Sequence, residues 1–127
     1  MATIKSFTSL EQSKKLAKIL PLESADMKYK EYTSSLDYSS KHCDVPSVGH
    51  PFKRDIPCWS LAALLGVLPE SVEFKGDKYY LRFMKDYVEY ANDEVSITGR
   101  CLHTTGNDNL VDACVDVIMQ LNGLNLL

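Results

Sequence analysis

The sequence predicts an α+β domain in which an antiparallel β-meander of about four or five strands packs on three helices. Two amphipathic segments near the ends of the chain and a nearly all-apolar segment in the middle have helical patterns. Most of the sequence between the last two of these alternates apolar and polar side chains as half-buried strands do. At 127 residues the chain has the size of one ordinary domain, so residues 1–127 are expected to form a single domain.

A capping box marks the first helix. Thr8 and Glu11 stand at the spacing at which a threonine hydroxyl and a glutamate carboxylate each bond an unpaired backbone N–H. The residues that follow place apolar side chains on one helical face and charged side chains on the other. Pro21 lacks an amide hydrogen and disfavours helical geometry in the residue before it, so we expect the helix to end there.

A strand and a long connection are expected next. Residues 25–33 alternate, with Met27 and Tyr29 on one side and lysines on the other, which is the pattern of a half-buried strand. Periodicity is then lost over residues 34–56, where serine, glycine and proline are frequent. Connections this long are uncommon in compact domains and are usually functional or disordered. This connection is therefore the first place to look for a site.

The centre of the predicted fold is the segment 57–69, a short and nearly all-apolar helix that contains Trp59, the only tryptophan of the chain. A helix that is apolar all round must be covered on every face. The residues expected to be mostly buried are Trp59, Leu61, Leu64, Leu65 and Leu68.

The meander is expected to follow this helix directly. Its strands are predicted at residues 72–75, 79–84, 87–91 and 95–98. Gly76-Asp77 is expected to form the tight turn of the first hairpin, and Asn92-Asp93 to join the last pair.

The last helix is expected to begin at Asn107, Asp108 or Asn109, which are all good N-cap residues. Its apolar side chains cover well over half of the helical circumference and leave a narrow polar stripe. Gly123 is placed to close the helix in a left-handed cap, and an apolar tail follows it. Either the sheet and the Trp59 helix cover this wide face within one chain, or a homodimer covers it.

Composition favours a cytoplasmic protein whose main function is neither membrane binding nor nucleic-acid binding. The formal net charge is −3 at pH 7, whereas non-specific nucleic-acid binding calls for an excess of lysine and arginine. No apolar run approaches the ~20 residues that span a bilayer, and lysines interrupt the N-terminal segment where a signal peptide would be continuously apolar.

Four cysteines and three histidines are the candidates for metal binding or nucleophilic catalysis. Free thiols are expected, because a chain of this size without an export signal needs no disulfides. Cys58 and Cys114 lie in apolar patterns and are expected to be small buried hydrophobes. The catalytic candidates are Cys43, His50, Cys101 and His103, and the candidate metal ligands are His42, Cys43, His50 and His103. Because their spacing matches no zinc pattern and the glycines form no phosphate-binding loop, no cofactor is expected.

Aromatic and basic side chains on the predicted sheet form a candidate binding surface. Its residues are Tyr79, Tyr80, Arg82, Tyr87 and Tyr90. Tyrosines flanked by basic side chains can stack the bases of a single-stranded nucleic acid. Ordinary cross-strand aromatic pairs, which stabilise a sheet without any ligand, are the favoured alternative.

Three segments carry a resemblance to a known group. Residues 20–27, residues 57–69 with their Pro-Cys-Trp-Ser start, and Leu-Val-Asp-Ala at residues 110–113 resemble a group of small proteins of uncharacterised function from phage-like and other mobile elements of gut bacteria. The resemblance implies a cytoplasmic bacterial or viral setting and an accessory or partner-binding role. It carries over no catalytic residue.

The function expected is therefore that of a small, non-enzymatic accessory protein whose partner is a protein. Nucleic acid is a less favoured partner, and a homodimer stays open. The alternative is a small hydrolase that depends on cysteine and histidine or on a metal held by them.

Overall fold

The computed structural model describes residues 5–33, 36, 39–83, 87–92, 100–106 and 109–127, with the backbone alone for 100–106. It confirms the α+β class. The described strands form three separate antiparallel sheets, whereas the sequence had predicted one. The helices are α1 (Leu10–Leu16), α2 (Leu61–Val67) and α3 (Leu110–Gly123), with a short 3-10 helix at Leu22–Ser24. The strands are β1 (Met27–Tyr29), β2 (Glu31–Thr33), β3 (Ser40–His42), β4 (Ser47–Val48), β5 (Ile56–Cys58), β6 (Ser71–Phe74), β7 (Asp77–Phe83), β8 (Tyr87–Asn92) and β9 (Arg100–Gly106).

The chain divides into two compact units, Ser6–Ala63 on the one hand and Met1–Lys5 with Leu64–Leu127 on the other. The division falls within α2. Two compact units can belong to one domain, so the single domain over residues 1–127 stays a prediction.

The first unit contains two small sheets. β1 lies between β4 and β5, and β2 pairs with β3, each pairing being antiparallel. The prediction of a connection without secondary structure over residues 34–56 is wrong for its described part, because β3, β4 and the start of β5 lie there. Strands of two or three residues are too short for their side-chain alternation to stand out in a sequence, and backbone pairing forms them here.

Helix α1 begins one residue later than predicted. Ser9 is its N-cap: the Ser9 hydroxyl accepts the N–H of Gln12 at 3.2 Å, and the Gln12 side chain accepts the N–H of Ser9 at 3.0 Å. The predicted box of Thr8 and Glu11 is wrong, because the Thr8 side chain is fully buried and bonded elsewhere. Helix α1 packs on β5.

The Trp59 segment is only partly the helix that the sequence predicts. Residues 56–58 form β5, and the helix begins at Leu61. The Asp26 carboxylate accepts the N–H of Ser60 at 2.9 Å and also its hydroxyl, which fixes the chain where strand gives way to helix. Trp59, Leu64 and Leu68 are buried as predicted, whereas Leu61 and Leu65 are half-buried. The expectation that every face of this helix is covered is therefore wrong, since Leu64 is the buried residue of α2.

The second unit holds a four-stranded antiparallel sheet in the order β6-β7-β8-β9. The first hairpin pairs Phe74 with Asp77, so its two-residue turn is Lys75-Gly76 and not the predicted Gly76-Asp77. Both turn residues have positive φ, 52° at Lys75 and 86° at Gly76, as a type I′ turn requires. The predicted strand at residues 95–98 lies outside the described residues.

Helix α3 packs on β8 and β9. Its N-cap is Asn109, one of the three predicted residues, and the Asn109 side chain accepts the N–H of Asp112 at 2.9 Å. Seven side chains of the helix are buried within the chain: Val111, Ala113, Cys114, Val115, Val117, Ile118 and Leu121. The left-handed residue after the helix is Asn125, with φ 58°, and not Gly123. Met119 is 38% exposed, and the homodimer stays a prediction.

Candidate binding surface

An exposed segment with several large apolar side chains runs along one edge of the first unit. Among the described strands, β4 lies at the edge of its sheet, where it pairs with β1. The relative exposures are 74% for Val45, 84% for Val48 and 73% for Phe52. An exposed apolar side chain is ordinary when it stands alone, but three within eight residues suggest a surface that another molecule covers.

Phe52 begins a tight turn, Phe52-Lys53-Arg54-Asp55, which we call the Phe52 turn. The N–H of Asp55 donates to the carbonyl of Phe52 at 3.0 Å. In return, the Asp55 carboxylate accepts the N–H of Phe52 at 2.9 Å and, through its other oxygen, the N–H of Glu31 at 3.1 Å. One carboxylate thus closes the turn and ties it to β2.

The electrostatics of Asp55 follow from these bonds. Burial acts to raise the pKa of the Asp55 carboxyl, but the N–H groups of Phe52 and Glu31 lower it, together with the ammonium groups of Lys28 and Lys30. The balance is a pKa below the ordinary value. Asp55 is therefore ionised at neutral pH, and its carboxylate charge strengthens the hydrogen bonds that close the turn.

Lys28 contacts both the Phe52 turn and the residues that precede it. Its side chain is buried, contrary to the alternation predicted for residues 25–33, and its ammonium donates to the carbonyl of His50 at 3.3 Å. The same ammonium lies 4.5 Å from the centre of the Phe52 ring, which is within the range of a cation–π contact. Gly49 allows the chain to bend around Lys28, because its φ of 125° is one that other residues rarely adopt.

A depression of about 330 Å³ lies beside this segment and is lined by Leu22, Glu23, His50 and Pro51. The His50 ring is fixed, since its Nδ1 donates to the carbonyl of Ala25 at 3.0 Å. Leu22 is 43% exposed. At Pro51 the depression adjoins the exposed segment, and Leu22 adds a further exposed apolar side chain there.

Of the cysteine and histidine candidates, the structure describes the side chains of His42, Cys43 and His50 and the backbone alone of Cys101 and His103, so a reactive site formed by them stays a prediction. His42 donates through Nε2 to the carbonyl of Arg54 at 3.0 Å, and the backbone N–H of Cys43 donates to the carbonyl of Lys30 at 2.9 Å. Cys101 and His103 lie on β9 opposite Ala91 and Tyr90, where the register shifts. In the part of the chain that the structure describes, no three metal-ligating side chains form a group that could hold an ion.

The buried thiols are poor nucleophiles. Cys43, Cys58 and Cys114 are free, and the last two are fully buried. Burial raises the pKa of the Cys114 thiol to about 12. Burial also raises the pKa of Cys58, even though hydroxyl groups of Thr8, Ser13 and Tyr29 oppose that effect. A thiol that stays protonated is unreactive, so both are packing residues as predicted.

The aromatic surface predicted on the sheet is divided between two faces. Tyr79 and Tyr90 are buried, with 7% and 0% exposure. Tyr80 and Arg82 face Ala91 and Glu89 across the ladder, and directly opposite residues share a face. Tyr87, two residues from Glu89, is on that same face. The predicted surface of five residues is thus reduced to Tyr80, Arg82 and Tyr87, and binding there stays a prediction.

Sequence reasoning pointed to the connection 34–56 as the place to search but did not single out Phe52 or its two basic neighbours. The short sequence around Phe52 contains a pattern that could have identified these residues. An aromatic residue and two cations stand between Pro51 and Pro57, and prolines restrict the conformations of a connection.

Comparisons with protein-family models, curated proteins and solved structures each found no match. Among the helices that the structure describes, none combines the length and the apolar character needed to cross a bilayer.

Proposed function

We propose that this protein is a small, non-enzymatic accessory protein that binds another protein through the exposed segment 45–54. The observation that carries the proposal is the exposure of Val45, Val48 and Phe52, each above 70%, on a backbone held by strand pairing and by the Asp55 carboxylate. A surface that is already fixed loses little conformational freedom on binding, which favours affinity.

A mobile-element setting and a cytoplasmic location are part of this proposal. The setting is supported by the resemblance of residues 20–27, 57–69 and 110–113 to small proteins of phage-like elements. The same resemblance implies the cytoplasmic location.

The hydrolase alternative has less support. It requires a thiolate or a metal beside a histidine. Its candidate nucleophiles are Cys43 and Cys101, and of its candidate histidines His42 donates to the carbonyl of Arg54 and His50 to the carbonyl of Ala25.

Site-specific photo-crosslinking tests the proposal. A photoreactive phenylalanine analogue is placed at position 52, and in parallel at Tyr80 on the sheet and at Lys14, an exposed residue of α1. After irradiation in cells of the natural host, we expect a discrete protein adduct from position 52 and none from position 14. An adduct from position 80 alone would move the interface to the sheet. The absence of any adduct from position 52, or an adduct with nucleic acid, would contradict the proposal.

A further inference from the structure

The charges around Phe52 indicate which kind of protein partner this surface fits. The two residues that follow the ring, Lys53 and Arg54, are both exposed. Both carboxylate oxygens of the one acid in the turn, Asp55, accept backbone N–H groups. The Phe52 turn therefore presents to solvent an aromatic ring and two cations.

The other charged groups near the Phe52 turn do not cancel the positive charge that it presents to solvent. The buried Lys28 and the exposed Lys30 are close enough to Asp55 to lower its pKa, which adds two cations near the turn. The Glu31 carboxylate accepts the hydroxyl of Ser40. Glu23 lines the depression beside His50, and Asp44 is exposed ahead of β4.

The aliphatic neighbours favour a protein over a nucleic acid. Bases stack on successive aromatic rings, whereas the other strongly exposed apolar side chains of this segment are Val45 and Val48. Aromatic side chains, phenylalanine included, and arginine are instead enriched at protein–protein interfaces. The cations add selectivity, because a partner with a positive surface would be repelled.

From this arrangement, and resting on the function proposed above, we propose that the partner presents an acidic peptide segment with a large apolar side chain between aspartate or glutamate residues. The apolar side chain packs against the exposed ring of Phe52, and the carboxylates pair with Lys53 and Arg54. Arginine binds a carboxylate through two parallel N–H groups, so Arg54 sets the geometry more strongly than Lys53.

Selection from a random library of displayed 12-residue peptides, with the whole chain as bait, tests the proposal. We expect enriched peptides to combine acidic residues with a central Leu, Phe or Trp. For synthetic copies of these peptides, we expect Phe52→Ala and Arg54→Glu each to weaken binding by about tenfold or more, as for a hot-spot residue. Raised salt should weaken binding as well.

The matched control is Lys14→Glu, the same charge change at an exposed position of the same unit. It should leave the affinity unchanged, and circular dichroism establishes that all variants fold. The double variant Lys53→Glu and Arg54→Glu should select basic peptides in place of acidic ones.

Three outcomes would overturn the proposal: enrichment of basic or uncharged peptides by the natural chain, enrichment that does not depend on Phe52, or stronger Phe52-dependent binding of an oligothymidine or of anionic lipid vesicles. If crosslinking from position 52 gives a protein adduct while the library yields no acidic peptides, the partner class is wrong and the proposed function stands. If position 52 gives no adduct, the proposed function fails as well.

Discussion

The hydroxyl of Thr8 accepts the backbone N–H of Trp59 at 3.1 Å, across 51 positions of the chain. The backbone bond between the same residues, from the Thr8 N–H to the Trp59 carbonyl, measures 2.9 Å. The Thr8 hydroxyl also lies 2.8 Å from that of Ser13, in a fully buried setting. Helix α1 is thereby joined to the segment that carries the only tryptophan.

Removal of this hydroxyl should destabilise the protein. Thr8→Val keeps the shape of the side chain but leaves the Trp59 N–H buried without its acceptor, which costs about 1–3 kcal/mol of unfolding free energy. Urea denaturation measures the change. Thr8→Ser, which retains the hydroxyl, is the matched control and should lose less. Equal losses for the two variants would show that the methyl group matters and the bond does not.

Trp59 is expected to be the most costly core residue to truncate. It is fully buried, and its Nε1 donates to the Ser24 hydroxyl at 2.9 Å. Trp59→Ala should lower the unfolding free energy by roughly 3–5 kcal/mol through lost contacts and a cavity. Ser24→Ala removes only the hydrogen-bond partner and should cost much less. A loss below about 1 kcal/mol for Trp59→Ala would contradict a central place for this ring in the core.

The type I′ turn between β6 and β7 should respond in opposite ways to changes at its two positions. Lys75→Asn should stabilise the hairpin by up to about 1 kcal/mol, because asparagine tolerates positive φ better than lysine. Gly76→Ala should destabilise it by about 1 kcal/mol or more, since φ is 86° there.

Gly66, in α2, provides the control for that turn. A Cβ at Gly66 meets no atom within 4 Å, and its φ is not positive. Gly66→Ala should therefore stabilise the protein by about 0.5–1 kcal/mol. Thermal unfolding followed by circular dichroism gives all three values, and a destabilising Gly66→Ala would contradict the helical conformation of that residue.

Thiol reactivity should separate the cysteines. In a Cys101→Ser background, the half-buried Cys43 should react with a disulfide reagent at pH 8 well before Cys58 and Cys114, which are fully buried. Mass spectrometry after short labelling identifies the modified residue. Rapid labelling of Cys114 in the folded protein would be inconsistent with a pKa raised to about 12.

The Asp55 carboxylate should make stability depend on pH. Its folded-state pKa lies below the ordinary value of 3.8, so it stabilises the fold above that value, and the contribution is lost as the pH falls through the folded-state pKa. Asp55→Asn should be less stable than the natural chain at pH 7, and the difference should shrink below about pH 4. A difference that stays constant from pH 7 to pH 2.5 would argue against this role.

The sequence predicted long periodic elements well and short ones poorly. The sequence predicted the apolar arc of α3 and limited its N-cap to three residues that include Asn109, because a helix of four turns repeats its pattern often enough to be recognised. The hairpin of β6 and β7 was foreseen with its turn one residue out of place. Glycine can stand at either central position of a two-residue turn, and strand register decides which.

The candidate surface escaped prediction for a different reason. Nothing in the sequence shows that the Asp55 carboxylate reaches back to the N–H of Phe52, or that Lys28, twenty-two positions before His50, bends towards its carbonyl. Strand alternation places Lys28 in solvent. Its burial depends on tertiary contacts with the bend at Gly49 and with the Phe52 ring.

The closure of the first unit has a consequence for how the protein is made. Its two ends are bonded to each other, since the Leu61 N–H donates to the Ser6 carbonyl at 3.0 Å and Thr8 pairs with Trp59. Contacts between distant positions form late, because the intervening chain must first be brought together. On the ribosome, α1 therefore lacks its partner β5 until residues near 61 have left the exit tunnel, and a nascent chain stalled before that length would carry an unfinished core.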